Sequence, residues 1–207
     1  MDNDTGRIEA FSDGVFAVAI TLLALDIHVP PYHEKPLTNL GGELLAQGPT
    51  YLAYVTSFLT VLVMWMNHHR LFQHIGRKDH GLLLYNGFLL MVVTLFPFPT
   101  AMLAEYLPYG GANAKIAVAV YSAFSIVMAI LFNRLWHHAA DGGRLLAADH
   151  NRHSARRITE QYRFGPLLYA VAFAAAFVSP PLSVFLSLSL AVFFAPPEKP
   201  APEASAP

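Results

Sequence analysis

Arg7 to Ile27 reads R-I-E-A-F-S-D-G-V-F-A-V-A-I-T-L-L-A-L-D-I. At a rise of 1.5 Å per residue, a helix of about 21 residues reaches across roughly 30 Å of hydrocarbon. The run is apolar without being uniform. At about 100° per residue, Phe11, Val15, Val18, Leu22 and Leu25 fall within a stripe about 80° wide, with Gly14 and Thr21 on its border. Ser12 and Asp13 point about 120° to 140° away from Val18. A carboxylate in a helix that crosses lipid is costly unless it faces protein or water. Asp13 therefore needs a partner, and Arg7, His68 and His69 are the nearest candidates by depth. Asp26, about 80° from Val18 at the far end, is the better placed of the acidic residues for a pore mouth.

The rest of the chain agrees with a membrane protein. Of 207 residues, 55% are hydrophobic and only 13% charged, against about 25% charged in a soluble domain, and the mean hydropathy is +0.41. The absence of cysteine excludes disulfides, thiolate metal sites and cysteine nucleophiles. A net charge of -1 gives no footprint for a nucleic-acid partner. The first run is read as a retained helix, because Asp2, Asp4 and Glu9 outnumber Arg7 where a signal peptide wants a positive flank.

Apolar stretches near 9–29, 49–67, 82–104, 115–136, 164–178 and 182–195 predict an all-α integral membrane protein with six transmembrane helices. The last two are short and are joined by Ser179-Pro180-Pro181. Two spans are expected there, with the fifth extended backwards through Gln161 to Arg163. With six spans, all thirteen Lys and Arg residues except Lys35 and Lys115 fall on one side, which places both termini in the cytoplasm. Residues 1–195 read as one unit and 196–207, PPEKPAPEASAP, as a disordered cytoplasmic tail. The Arg- and His-rich stretch 137–163 reads as an amphipathic or irregular connector.

The run F-S-D-G-V-F-A-V-A-I-T-L-L, with Arg7 four residues ahead of Phe11, resembles the first-helix signature of the transmembrane protein 175 potassium channel family. Trp65, His68, His69, Leu71 and Phe72 resemble the family's ending of helix two. Asn86 and the later L-F-P-F-P-T, Leu95 to Thr100, resemble its third helix. The resemblance implies a homotetramer in the cell membrane, with the first helix of each subunit lining a central pore for K+ and no bound cofactor. It puts the constriction, usually Ile, on Val18, further apolar layers on Leu22 and Leu25, and the layer tied to selectivity on Thr21. It also implies a polar network of Arg7, Ser12, Asp13, Trp65, His69 and Asn86 on the cytoplasmic side. Val in place of Ile leaves one methylene fewer per subunit at the constriction.

No T-V-G-Y-G segment is present, so a filter of carbonyl rings is not expected. The ten histidines invite a metal reading, but His69 and His74 stand about 140° apart on a helix and no H-E-x-x-H occurs. Eight of them fall on the cytoplasmic side and read as interfacial. The competing function is a proton- or cation-coupled transporter with Asp13 as the carrier. It would call for paired inverted repeats, whereas Gly87, Pro97 and Pro99 interrupt one helix with no counterpart. An intramembrane enzyme lacks any G-x-G-D, G-x-S-x-G or metal motif within a span.

Overall fold

The computed structural model describes residues 5–30, 39–147 and 152–195; the tail expected at 196–207 lies outside them. Apart from one isolated bridge, every regular element is helical. They are α1 (Gly6–Leu22, continued by a 3-10 turn Leu23–Asp26), α2 (Leu40–Ala46), α3 (Gly48–Phe72), α4 (His80–Leu95), α5 (Pro97–Tyr106), α6 (Gly111–Ala140), α7 (Arg152–Arg163), α8 (Gly165–Val178) and α9 (Pro180–Phe193).

Among the described residues, four stretches are long and apolar enough to cross a bilayer: Gly6–Asp26, Gly48–Phe72, His80–Tyr109 and Gly111–Gly143. They match the first four expected spans. The fifth and sixth form a hairpin, α8 and α9, of 14 residues each, or about 21 Å.

Proline sets both breaks in the helical run. Pro97 has no N–H and its ring crowds the carbonyl one turn back; α4 therefore closes at Phe96, whose N–H bonds the Val93 carbonyl at 3.1 Å. Gly87 leaves α4 uninterrupted. Pro166 acts in the same way on the carbonyl of Tyr162, which takes the Asn133 side-chain amide at 3.0 Å instead. The fifth span is thus not one helix reaching back through Gln161. It is interrupted at Phe164, and Gln161 to Arg163 belong to the connector helix α7.

α1 packs on α3 and α4 at one flank. The α8–α9 hairpin packs on α6 and α3 at the other, and α6 also meets α4 and α5. The interior between them holds Phe16, Phe72, Phe96, Tyr121 and Trp136, all buried. Within it lies a cluster of hydroxyls that ties three helices together. Thr100 donates to Ser57 at 2.7 Å, Ser57 donates to the Tyr121 phenol at 3.4 Å, and Thr60 stands 3.4 Å from the same oxygen.

At the end of the bundle where α3 gives way to α4, a latch joins that turn to the segment after α6. Gly76 and Arg77 both donate backbone N–H groups to the Leu145 carbonyl, at 2.9 and 3.1 Å, and Ala147 N–H returns to the His74 carbonyl at 3.0 Å. A Cβ on Gly76 would lie 2.8 Å from the Ala147 Cα, so only glycine permits this approach. Asp79 caps α4 through the Leu82 N–H at 2.8 Å. It also accepts from His138 at 2.9 Å, with Arg144 at 3.5 Å. The Leu82 N–H, then the His138 ring, hold the Asp79 carboxyl below the usual carboxylate range. Because the folded value is the lower one, this stabilisation is complete above the ordinary carboxylate pKa of about 3.9. It is lost as pH falls through the depressed value. Asp79→Ala is expected to cost about 1 kcal/mol as a lost cap. Thermal unfolding in detergent should show the two proteins converging as pH drops below about 4; a gap that persists in acid would remove Asp79 as its source.

Candidate functional site

The first helix divides cleanly into a packed face and an open one. Ser12, Phe16, Ala19 and Leu23 are buried, whereas Phe11, Val18, Leu22 and Leu25 are 67%, 56%, 40% and 68% exposed. Gly14 and Thr21 are exposed as well. The stripe read from periodicity is therefore a surface that this chain leaves uncovered by itself, except at Val15, which is half-buried against the core.

Two local features shape that surface. The helix tightens to 3-10 winding from Leu23 to Asp26, in which residues three apart eclipse each other. Leu25 thus stands above Leu22, while Asp26 turns to about 160° from Val18, further round than uniform α winding takes it. Asp26 is half-buried, and its Oδ2 makes no hydrogen bond among the described residues. Thr21, meanwhile, donates its hydroxyl proton to the Val18 carbonyl at 2.8 Å. With the proton turned into the helix, the oxygen presents lone pairs, an arrangement suited to a cation.

Behind the stripe, polar side chains anchor α1 at two points. Trp65 Nε1 donates to Asp13 Oδ1 at 2.8 Å, which supplies the partner Asp13 needs. The second anchor is a buried chain: His68 Nε2 lies 2.8 Å from Asn86 Oδ1, and Asn86 Nδ2 donates to Ser12 Oγ at 3.1 Å. Ser12 in turn donates to the Ile8 carbonyl at 2.8 Å. Since Asn86 meets His68 with its carbonyl oxygen, the imidazole proton sits on Nε2. His68 Nδ1 is left as a buried acceptor without a hydrogen bond among the described residues. Phe72 stacks on this ring at 4.5 Å and Phe16 tilts against it at 5.4 Å.

The sequence reading placed His69 among these residues; the structure puts His68 in the chain with Asn86. His69 stacks on Trp65 at 6.1 Å and bonds Gln73 at 3.1 Å on the exposed side. Spacing holds the signal: Ser57, Val61, Met64, His68 and Leu71 are all buried and recur at the three- and four-residue intervals of one helix face. Arg7 joins neither anchor. It is exposed, makes no hydrogen bond or ion pair among the described residues, and lines an open cavity of about 430 Å3 with Phe11, Lys78 and Gly87. Among the described residues, no three His, Asp or Glu side chains meet in a metal-ligating group.

The arrangement is a helix with a largely uncovered apolar stripe, one outward hydroxyl oxygen on its border, and a polar backing hydrogen-bonded to α3 and α4. Comparison with known proteins gives it a context. Residues 7–97 match the family described as "Endosomal/lysosomal potassium channel TMEM175". The chain is 54% identical over 193 residues to a potassium channel of Chamaesiphon minutus, covering 93% of this chain and 94% of the relative. It is 44% identical over 207 residues to a potassium channel of Streptomyces collinus, covering 99% of each. The crystal structure of a lysosomal potassium-selective channel TMEM175 homolog from Chamaesiphon minutus superposes with a TM-score of 0.83. That alignment covers 93% of this chain and 96% of the other, at 52% identity.

Proposed function

The chain belongs to the TMEM175 family, and we propose that it is a potassium channel of the cell membrane, built from four copies with α1 of each lining a central pore. The observation that carries this reading is the exposed stripe of Phe11, Val18, Leu22 and Leu25 on a helix whose opposite face is anchored by polar groups. A helix meant only to face lipid needs no such control of its rotation. Cyclic association covers the stripe and gives the pore its walls.

In this arrangement Val18, Leu22 and Leu25 form successive apolar rings, with Val18 the constriction. An ion passing the narrow ring sheds part of its hydration, and K+ sheds water more cheaply than Na+. The Thr21 oxygens, their protons held by the Val18 carbonyls, offer partial compensation on the way. Weak compensation in a narrow ring gives moderate selectivity, and the same ring blocks ions by dewetting when it closes. Ser12, Asp13, Trp65 and Asn86 act on the orientation of α1 rather than on the ion. Arg7, on the stripe's side of the helix, belongs to the cytoplasmic mouth, with both termini on that side. Asp26 marks the outer end, where its turn off the stripe keeps the carboxylate out of the direct ion path.

The test is the reversal potential of purified protein in planar bilayers with K+ on one side and Na+ on the other. Wild type should shift toward the K+ value, and Thr21→Ala should move several-fold back toward no preference. Slow uptake driven by a proton gradient, without ohmic current, would instead make the protein a transporter with Asp13 as the carrier.

A further inference from the structure

The connector helix α7 is held firmly in place. Trp136 Nε1 donates to Thr159 at 2.8 Å, Asn133 to the Tyr162 carbonyl at 3.0 Å, and Arg70 to Gln161 at 3.1 Å. Its apolar residues, Ala155, Ile158 and Tyr162, are buried. The face left outside carries Arg156, Arg157, Glu160 and Arg163. Glu160 is taken by Arg156 at 3.0 Å, whereas Arg157 and Arg163 make no ion pair among the described residues.

Immediately after this basic face the chain turns apolar. Phe164 is 54% exposed and Leu167 64%, and the Arg163 guanidinium lies 5.7 Å above the Phe164 ring. Arg163 thus sits on the line where aqueous surface gives way to the apolar helix α8. That helix has 14 residues, about 21 Å against roughly 30 Å of hydrocarbon. A bilayer meets so short a helix by thinning, or the flanking arginines extend their stems along the hydrocarbon. Either adjustment brings lipid phosphates to the level of Arg163, from which Arg157 lies about 9 Å along α7.

We propose that Arg157 and Arg163, about 120° apart across the exposed side of α7, bound a binding surface for anionic phospholipid headgroups in the leaflet that α8 enters. Guanidinium groups bond phosphate oxygens through paired N–H donors, and basic segments beside a membrane helix are drawn to anionic lipid. The occupant is a lipid rather than a protein because the surface continues directly into the membrane-facing residues Phe164 and Leu167.

The experiment is native mass spectrometry of the full-length protein after equilibration with equal amounts of phosphatidylglycerol and phosphatidylcholine. Wild type should retain phosphatidylglycerol preferentially, and R157Q/R163Q should lose about tenfold of that preference. R157K/R163K should keep most of it. R77Q/R134Q, which removes the same charge from exposed sites elsewhere, should change it little. If R157Q/R163Q fails to give a monodisperse protein, R163Q alone should show a smaller loss in the same direction. Equal retention of both lipids by wild type, or an equal loss in R77Q/R134Q, would overturn the assignment. None of these readouts depends on ion conduction, so they stand apart from the channel reading.

Discussion

Val18→Asn raises single-channel conductance by about tenfold or more, equivalent to lowering the barrier at the ring by about 1.4 kcal/mol. Val18 is more than half exposed on the stripe, with no packing role to lose. In a fourfold ring, the substitution exchanges four isopropyl groups for four amides of similar size. Each amide offers a carbonyl oxygen to a partly dehydrated cation and a surface that water wets, so both the dehydration and dewetting barriers fall. Selectivity should fall with them, because a cation that keeps its water is no longer sorted by the cost of losing it. Val18→Ile should act in the opposite sense by narrowing the ring. Single-channel recording decides it: unchanged conductance in Val18→Asn would remove Val18 from the constriction and move the search to Leu22.

The second large effect is expected behind the stripe. Asn86→Leu should destabilise the protein by about 2 kcal/mol, because it strands a buried imidazole N–H. The cost falls on His68, which is 1% exposed. Ser12 keeps its bond to the Ile8 carbonyl and loses little. The pair His68→Phe, Asn86→Leu should therefore be milder than Asn86→Leu alone, since removing both partners leaves nothing orphaned. Phe also extends the stack between Phe16 and Phe72. Unfolding temperatures in detergent across the double-mutant cycle read this directly. Simple additivity would mean that the His68 and Asn86 contact carries no coupling. In current recordings the double variant tests the backing as well: if the polar chain sets the rotation of α1, conductance changes even where stability is recovered.

The stripe on α1 was legible because periodicity and packing obey the same geometry: of the residues that recur on that face, all but Val15 are left open by the structure. Pro97 likewise announces its break, since a missing N–H acts locally; Pro166 carries the same signal, which the expectation of a fifth span reaching back through Gln161 passed over. Other features depend on contacts that the order of residues does not contain. The choice between His68 and His69 is not among them: the two stand about 100° apart, and the three- and four-residue spacing from Ser57 to Leu71 already marks His68 as the inward one. The tightening at Leu23–Asp26 leaves no mark in composition, so uniform winding misplaced Leu25 and Asp26 by about 60° and 80°. α2, seven residues capped by the Asn39 side chain on the Gly42 N–H at 3.0 Å, is too short to show a period.

The hydroxyls gathered around Tyr121 bear on how such a chain can change over generations. Ser57, Thr60, Thr100 and Tyr121 come from three helices and satisfy one another where no solvent reaches. Losing the phenol oxygen alone leaves the Ser57 hydroxyl without its acceptor, and an orphaned polar group in an apolar interior is penalised at once; Thr60 and Thr100 keep the Thr56 and Phe96 carbonyls at 2.7 and 2.9 Å. An exchange of the whole set for apolar side chains carries no such penalty. Substitutions at Tyr121 and Ser57 are therefore inherited as a pair, whereas Thr60 and Thr100, each with a carbonyl of its own helix to fall back on, vary singly.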